Sequence, residues 1–122
     1  MPTARTRLGD WGEEVASRFL QDKGYQILET KYRSTWGEVD IVARDGDDLV
    51  FVEVRTRRDT KYGTPEESLT ATKAQRLVAT AEDYLQRHCE ANQGWRIDLV
   101  AIRLGKGGKV QEIGHLRHAV EG

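Results

Sequence analysis

The sequence predicts an α/β fold in the order helix, strand, strand, strand, helix, strand, with one further short strand near the end. Three observations carry this. Two segments place apolar residues at helical spacing, an alternating apolar hairpin lies between them, and a ten-residue apolar strand follows the second helix. A chain of 122 residues buries one core and is too short for two, so 1–122 is expected to be a single domain.

The first helix is expected from Asp10 to Lys23, where Trp11, Val15, Phe19 and Leu20 recur on one face. Asp10 is its candidate N-cap and Gly24 its stop. A flexible basic segment of about eight residues is expected before it. Tyr25–Thr30 reads as a short strand. Gly37–Arg44 and Leu49–Thr56 then form a hairpin around Asp45-Gly46-Asp47-Asp48. The polar stretch Arg57–Glu66, with Gly63 and Pro65, reads as a loop. Leu69, Leu77, Val78, Ala81, Tyr84 and Leu85 mark a second amphipathic helix reaching Cys89, and Asn92-Gln93-Gly94 ends it. Trp95–Leu104 is a strand, Gly105–Gly108 a turn and Lys109–Ile113 a short last strand, with a polar tail expected from about 114 to 122.

Composition excludes several functions. Lys plus Arg (19) nearly balance Asp plus Glu (20), and the net charge of -1 gives no global attraction to polyanions or acidic membranes. Any basic surface must be local. The single cysteine, Cys89, rules out an internal disulfide and a multi-cysteine zinc site, and it fits a reducing cytoplasm. The basic N-terminus leads into no apolar run, and no stretch is long and apolar enough to span a bilayer, so a cytoplasmic protein without membrane partners is expected.

The hairpin carries Glu38, Asp40, Glu53 and Arg55 within its two strands. Alternation places Val39, Ile41 and Ala43 on one face with Val50, Val52 and Val54, leaving Glu38, Asp40 and Val42 on the other with Leu49, Phe51, Glu53 and Arg55. With Gly46-Asp47 at the centre of the turn, Asp40 is expected opposite Glu53 and Glu38 opposite Arg55. A one-residue slip would bury charges and expose valines, so the apolar pattern protects this register. Two carboxylates about 5 Å apart repel by about 3 kcal/mol at an effective dielectric near 20. A shared proton, the Arg55 guanidinium or a bound divalent cation would relieve that repulsion. A solvated face with a cross-strand Glu38–Arg55 ion pair fits the spacing as well.

The ordered string GEVD, then FVEVRTR after one turn, resembles the YraN-like family of predicted endonucleases, relatives of Holliday junction resolvases within the PD-(D/E)xK nuclease superfamily. The likeness extends along most of the chain. It includes Gly9 and Glu13 of a G-x-x-x-E pattern with Ala16 and Leu20, then Gly24-Tyr25, Tyr62-Gly63-Thr64-Pro65, Lys73, Leu77, Ala81, Tyr84, Leu85 and Trp95-Arg96-Ile97-Asp98. The resemblance implies a restriction-endonuclease-like core with a central mixed β-sheet flanked by helices. It implies a divalent-metal-dependent endonuclease that hydrolyses DNA phosphodiester bonds, with branched or single-stranded DNA among its substrates, and a homodimer. It also implies Asp40 and Glu53 as ligands to Mg2+ or Mn2+, the Val54 carbonyl as part of the shell, and Glu13 reaching the metal directly or through water.

Glu13 has a second reading as the reciprocal member of a capping box with Asp10. At Arg55 the chain departs from the motif, which expects Lys. Arginine stays protonated, so Arg55 cannot serve as a general base, although its fork of donors suits a phosphate. Lys73 is a candidate to reach the scissile phosphate or a lysine lying along a helix edge. Arg57, Arg58 and Lys61, extended by Arg5 and Arg7, form a candidate nucleic-acid-binding run or a solvated loop. Trp36 suits either stacking on a base or packing against the hairpin, whereas Trp11 and Trp95 fit core positions. His115 and His118 have metal-compatible spacing but read as solvated residues of the tail. Besides an active nuclease, a DNA-binding protein that keeps the fold with little catalysis and an interaction domain with a relict acidic pair stay open.

Overall fold

The computed structural model describes residues 4–58, 69–88 and 92–120. The elements run α1 (Ala4–Asp22), β1 (Gln26–Arg33), β2 (Glu38–Asp45), β3 (Asp48–Arg57), α2 (Ala71–His88), β4 (Trp95–Leu104) and β5 (Val110–Val120), the order read from the sequence. The strands make one mixed sheet in the spatial order β1-β2-β3-β4-β5. All neighbours are antiparallel except β3 and β4, which are parallel and joined through α2, the kind of crossover a parallel pair requires.

The hairpin adopts the register its apolar pattern predicts, with Ile41 opposite Val52, Ala43 opposite Val50 and Asp45 opposite Asp48. The helices cover opposite faces. Ala16 and Leu20 of α1 pack on Ile41, Ala43, Val50, Val52, Val100 and Ile102, while Leu77, Ala81 and Tyr84 of α2 pack on Val42, Leu49, Phe51 and Ile97. Alternate residues of one strand thus meet different helices. The expectation of a single core face is therefore corrected, since Val42, Leu49 and Phe51 are fully buried under α2. Val39 also departs from its expected face, because it joins Tyr32 in the α2-side cluster while Ile41 and Ala43 face α1.

Both ends of the chain differ from expectation. Helix α1 begins at Ala4, so residues expected to precede the helix are its first turns and Asp10 is not its N-cap. Leu8 extends the apolar stripe one turn ahead of Trp11 and packs on the same core. Gly24 ends the helix at φ 93, with Gly24 and Tyr25 N–H groups donating to the carbonyls of Gln21 and Leu20. At the other end, the tail expected from about 114 is strand through Val120, because Asp98 in β4 anchors it. The Asp98 carboxylate accepts from the His118 N–H at 3.1 Å and lies 2.8 Å from His115 Nε2. Helix α2 starts one residue after Thr70, whose Oγ1 accepts from the Lys73 N–H at 3.3 Å. Cys89 lies outside the described residues.

Candidate functional site

The acidic site forms where the β2–β3 ladder opens. Below Ile41–Val52 the strands separate, and the Asp40 carboxylate turns to accept the Val54 N–H at 2.7 Å. Asp40 also accepts hydrogen bonds from the carboxyls of Glu13 and Glu53. Oxygens of Glu13, Glu38 and Asp40 all lie within 4.8 Å of one another. Four acids from α1, β2 and β3 therefore share one small region. Gly12 lets α1 come this close, since a Cβ there would stand 2.4 Å from Thr56 Oγ1 on β3.

Burial governs how Glu13, Asp40 and Glu53 titrate. Glu53 is pushed up to about 8 by burial, then by the neighbouring Asp40 charge, against the opposing pull of Arg55 and Lys73. Glu13 is pushed up to about 7, again by burial first and Asp40 second, with Lys31 opposing. Burial also raises Asp40, while its hydrogen bonds from Val54 and Glu53 act the other way. At neutral pH the cluster thus holds protons that a cation would displace.

A pH dependence of stability follows. A carboxyl raised in the folded state contributes stability that is fully present below its unfolded value, and this is lost as pH rises through the folded value. With Glu13 and Glu53 moving from 4.5 to about 7 and about 8, the cation-free protein is expected to lose melting temperature between pH 5 and 8.5. Adding Mn2+ should recover more of it at pH 8 than at pH 6. Melting scans in EDTA and in Mn2+ across that range measure this, and a flat EDTA profile would contradict it.

Cationic side chains border the acids. Arg55 Nη2 stands 3.6 Å from Glu53 Oε1, and its Nε is buried without a hydrogen-bond partner among the described residues. Lys73 at the start of α2 is near enough to act on Glu53 electrostatically. Lys31 of β1 reaches Glu13 at 3.7 Å and also pairs with Asp10. Lys31 belongs to no motif in the sequence. The signal for it is the β1–β2 register, which sets Lys31 between the pairs Thr30–Ile41 and Tyr32–Val39 and so abreast of Asp40.

The structure brings Asp40, Glu53, Glu13, Arg55 and Lys73 together. Glu13 lies over Asp40 inside a helix that started two turns earlier, so its capping-box reading is overturned. Glu38 joins as a candidate ligand, and its expected partner Arg55 is replaced by Arg33, directly opposite on β1 at 3.1 Å. Trp36 is 60% exposed on the β1–β2 connection two residues before Glu38, which overturns the packing alternative. Arg57 and Arg58 lie at the end of β3, Arg58 exposed, and Lys61 lies outside the described residues. His115 is not in a solvated tail. It is buried against Phe19, Tyr25 and Asp98.

A family model described as "Uncharacterised protein family UPF0102" matches residues 12–102. A UPF0102 protein of Roseiflexus castenholzii is 51% identical over 122 residues, covering 99% of this chain and 98% of the relative. One from Chloroflexus aurantiacus is 45% identical over 121 residues, 98% of each chain. One from Rhodococcus opacus is 44% identical over 115 residues, 92% of this chain and 94% of the relative. Among solved structures, SfsA of Pyrococcus furiosus in complex with Ca2+ is similar at a TM-score of 0.42 and 15% identity. That match takes in 95% of this chain and 65% of SfsA, so the chain spans just under two thirds of its length.

Proposed function

The chain belongs to the YraN-like family UPF0102, and from that premise we propose that it is a divalent-metal-dependent nuclease that hydrolyses DNA phosphodiester bonds, single-stranded or branched DNA included. The observation that carries the reading is the set of carboxylate oxygens of Glu13, Glu38 and Asp40 within 4.8 Å of one another, with Glu53 hydrogen-bonded to Asp40. Such an all-oxygen donor set suits a hard cation. Magnesium or manganese held there supplies Lewis-acid chemistry, lowering the pKa of a water and neutralising charge on the phosphate.

The chain's own residues divide the remaining work. Asp40 is fixed by the Val54 N–H, so its oxygens have a set direction before any ligand arrives. Glu13, raised to about 7 without a cation, would give up its proton to a bound ion and complete the oxygen donor set beside Lys31. Arg55, whose side chain is 29% exposed beside Glu53, would offer guanidinium N–H groups to a non-bridging phosphate oxygen, a role that needs no proton transfer. Lys73 adds positive charge on the Glu53 side. Water forms one P–O bond as another breaks, leaving a phosphate monoester and a hydroxyl.

The Arg at 55 sets up a second reading, a nucleic-acid-binding protein with little turnover. Incubating the protein with labelled single-stranded, duplex and four-way-junction DNA in Mn2+, Mg2+ or EDTA separates the two. Cleavage that needs the cation is the expected result. Arg55→Gln should lower it about 100-fold, while Arg55→Lys keeps most of it. If neither wild type nor Arg55→Lys cuts any substrate, the catalytic reading is wrong and salt-sensitive binding alone becomes the function.

A further inference from the structure

We infer that the open cleft between the end of β3 and the β4–β5 turn is a second anion site, which holds a backbone phosphate of the nucleic acid away from the bond being cut. This inference rests on the nuclease reading for its ligand and on separate residues for its geometry. The cleft has a volume of about 720 Å³ and is lined by Arg58, Lys106 and Lys109 with Leu104, Gly105, Val110 and Gln111. Among the described residues, no carboxylate lines it. The nearby Glu112 is engaged by Arg103 at 2.7 Å, and Arg103 keeps a buried Nε–H without a partner among the described residues.

The turn itself suits a phosphate. Lys106 and Lys109 flank Gly107 and Gly108, both at φ 74, and a Cβ at either glycine would meet nothing within 4 Å. The two lysines thus stand on a turn whose backbone a ligand can approach closely. Position links the cleft to the acid cluster. Five residues of extended chain separate Glu53 from Arg58, roughly 16 Å at the rise of a strand. A strand whose scissile phosphate lies at Asp40 reaches that far within a few nucleotides. In a chain of net charge -1, such a local concentration of positive charge is the feature a polyanion would find.

The test is binding of a fluorescent single-stranded oligonucleotide in EDTA at several salt concentrations, with the double variant Lys106→Gln/Lys109→Gln compared against Lys106→Arg/Lys109→Arg. Both pairs sit on an exposed turn, and melting curves verify their folding. The glutamine pair should lose about tenfold in affinity and lower the slope of log K against log salt by about 0.7, the value for one phosphate contact on a single strand. The arginine pair should keep the wild-type slope. An unchanged slope in the glutamine pair, or an equal loss in the arginine pair, overturns the cleft even if the protein cuts DNA. Failure of wild type to bind or cut any nucleic acid would instead remove the nuclease reading on which the ligand's identity rests.

Discussion

Asp40→Asn is expected to abolish cation-dependent cleavage, by about a thousandfold or more, and at the same time to make the cation-free protein more stable. Asp40 lies at the centre of the site, accepting from Val54, Glu13 and Glu53 and contributing an oxygen to the candidate cation set. Losing one anionic ligand removes charge stabilisation worth several kcal/mol to the reaction. Its negative charge also opposes those of Glu13, Glu38 and Glu53 when no cation is present. Removing it should raise stability at pH 8 in EDTA by about 1–2 kcal/mol, the trade-off expected where function requires crowded like charges. Urea unfolding alongside gel-based cleavage measures both. An Asn variant that is inactive and also destabilised would point to a merely structural acid.

The second large effect lies on β4, where Asp98 is in register with Val52 of β3. Asp98 is fully buried on β4 and ties together Arg96 at 3.0 Å, His115 at 2.8 Å and the His118 N–H at 3.1 Å. Arg96 in turn donates to Tyr25 at 2.8 Å and Asp45 at 2.9 Å. Asp98→Ala would leave a buried guanidinium and imidazole without their shared acceptor, costing about 3–5 kcal/mol. Strand β5 should lose hydrogen-exchange protection first, since two of its residues hold on to Asp98. A loss under about 1 kcal/mol would mean that Arg96 and His115 find water or other acceptors.

These two aspartates show what the sequence made legible. Asp40 is readable because it breaks a strict apolar alternation beside a strong turn, where Ile41, Ala43, Val50 and Val52 enforce one register. Asp98 breaks a similar alternation in β4, but two of its partners lie on β5, whose apolar residues Val110, Ile113 and Leu116 recur every third position without strand alternation, so it reads as a tail. Edge-strand polarity conceals that pairing. Helix α1 was placed too late because Asp10 has the chemistry of an N-cap, although Leu8 already continued the buried stripe. Burial of Val42, Leu49 and Phe51 was hidden for a different reason. Alternation distinguishes the two faces of a strand and cannot say that helices cover both. Lys31 and Glu38 became members of the site only through cross-strand register and the fold of α1 over it.

The acids of α1, β2 and β3 are proposed to form a cation site. Titrating Mn2+ calorimetrically into wild type and Asp40→Asn near pH 7, in two buffers of different ionisation enthalpy, tests it most directly. Saturable binding below about 1 mM that releases protons to the buffer and disappears in the variant is the expected result. No binding to wild type, or equal binding to both proteins, would contradict it.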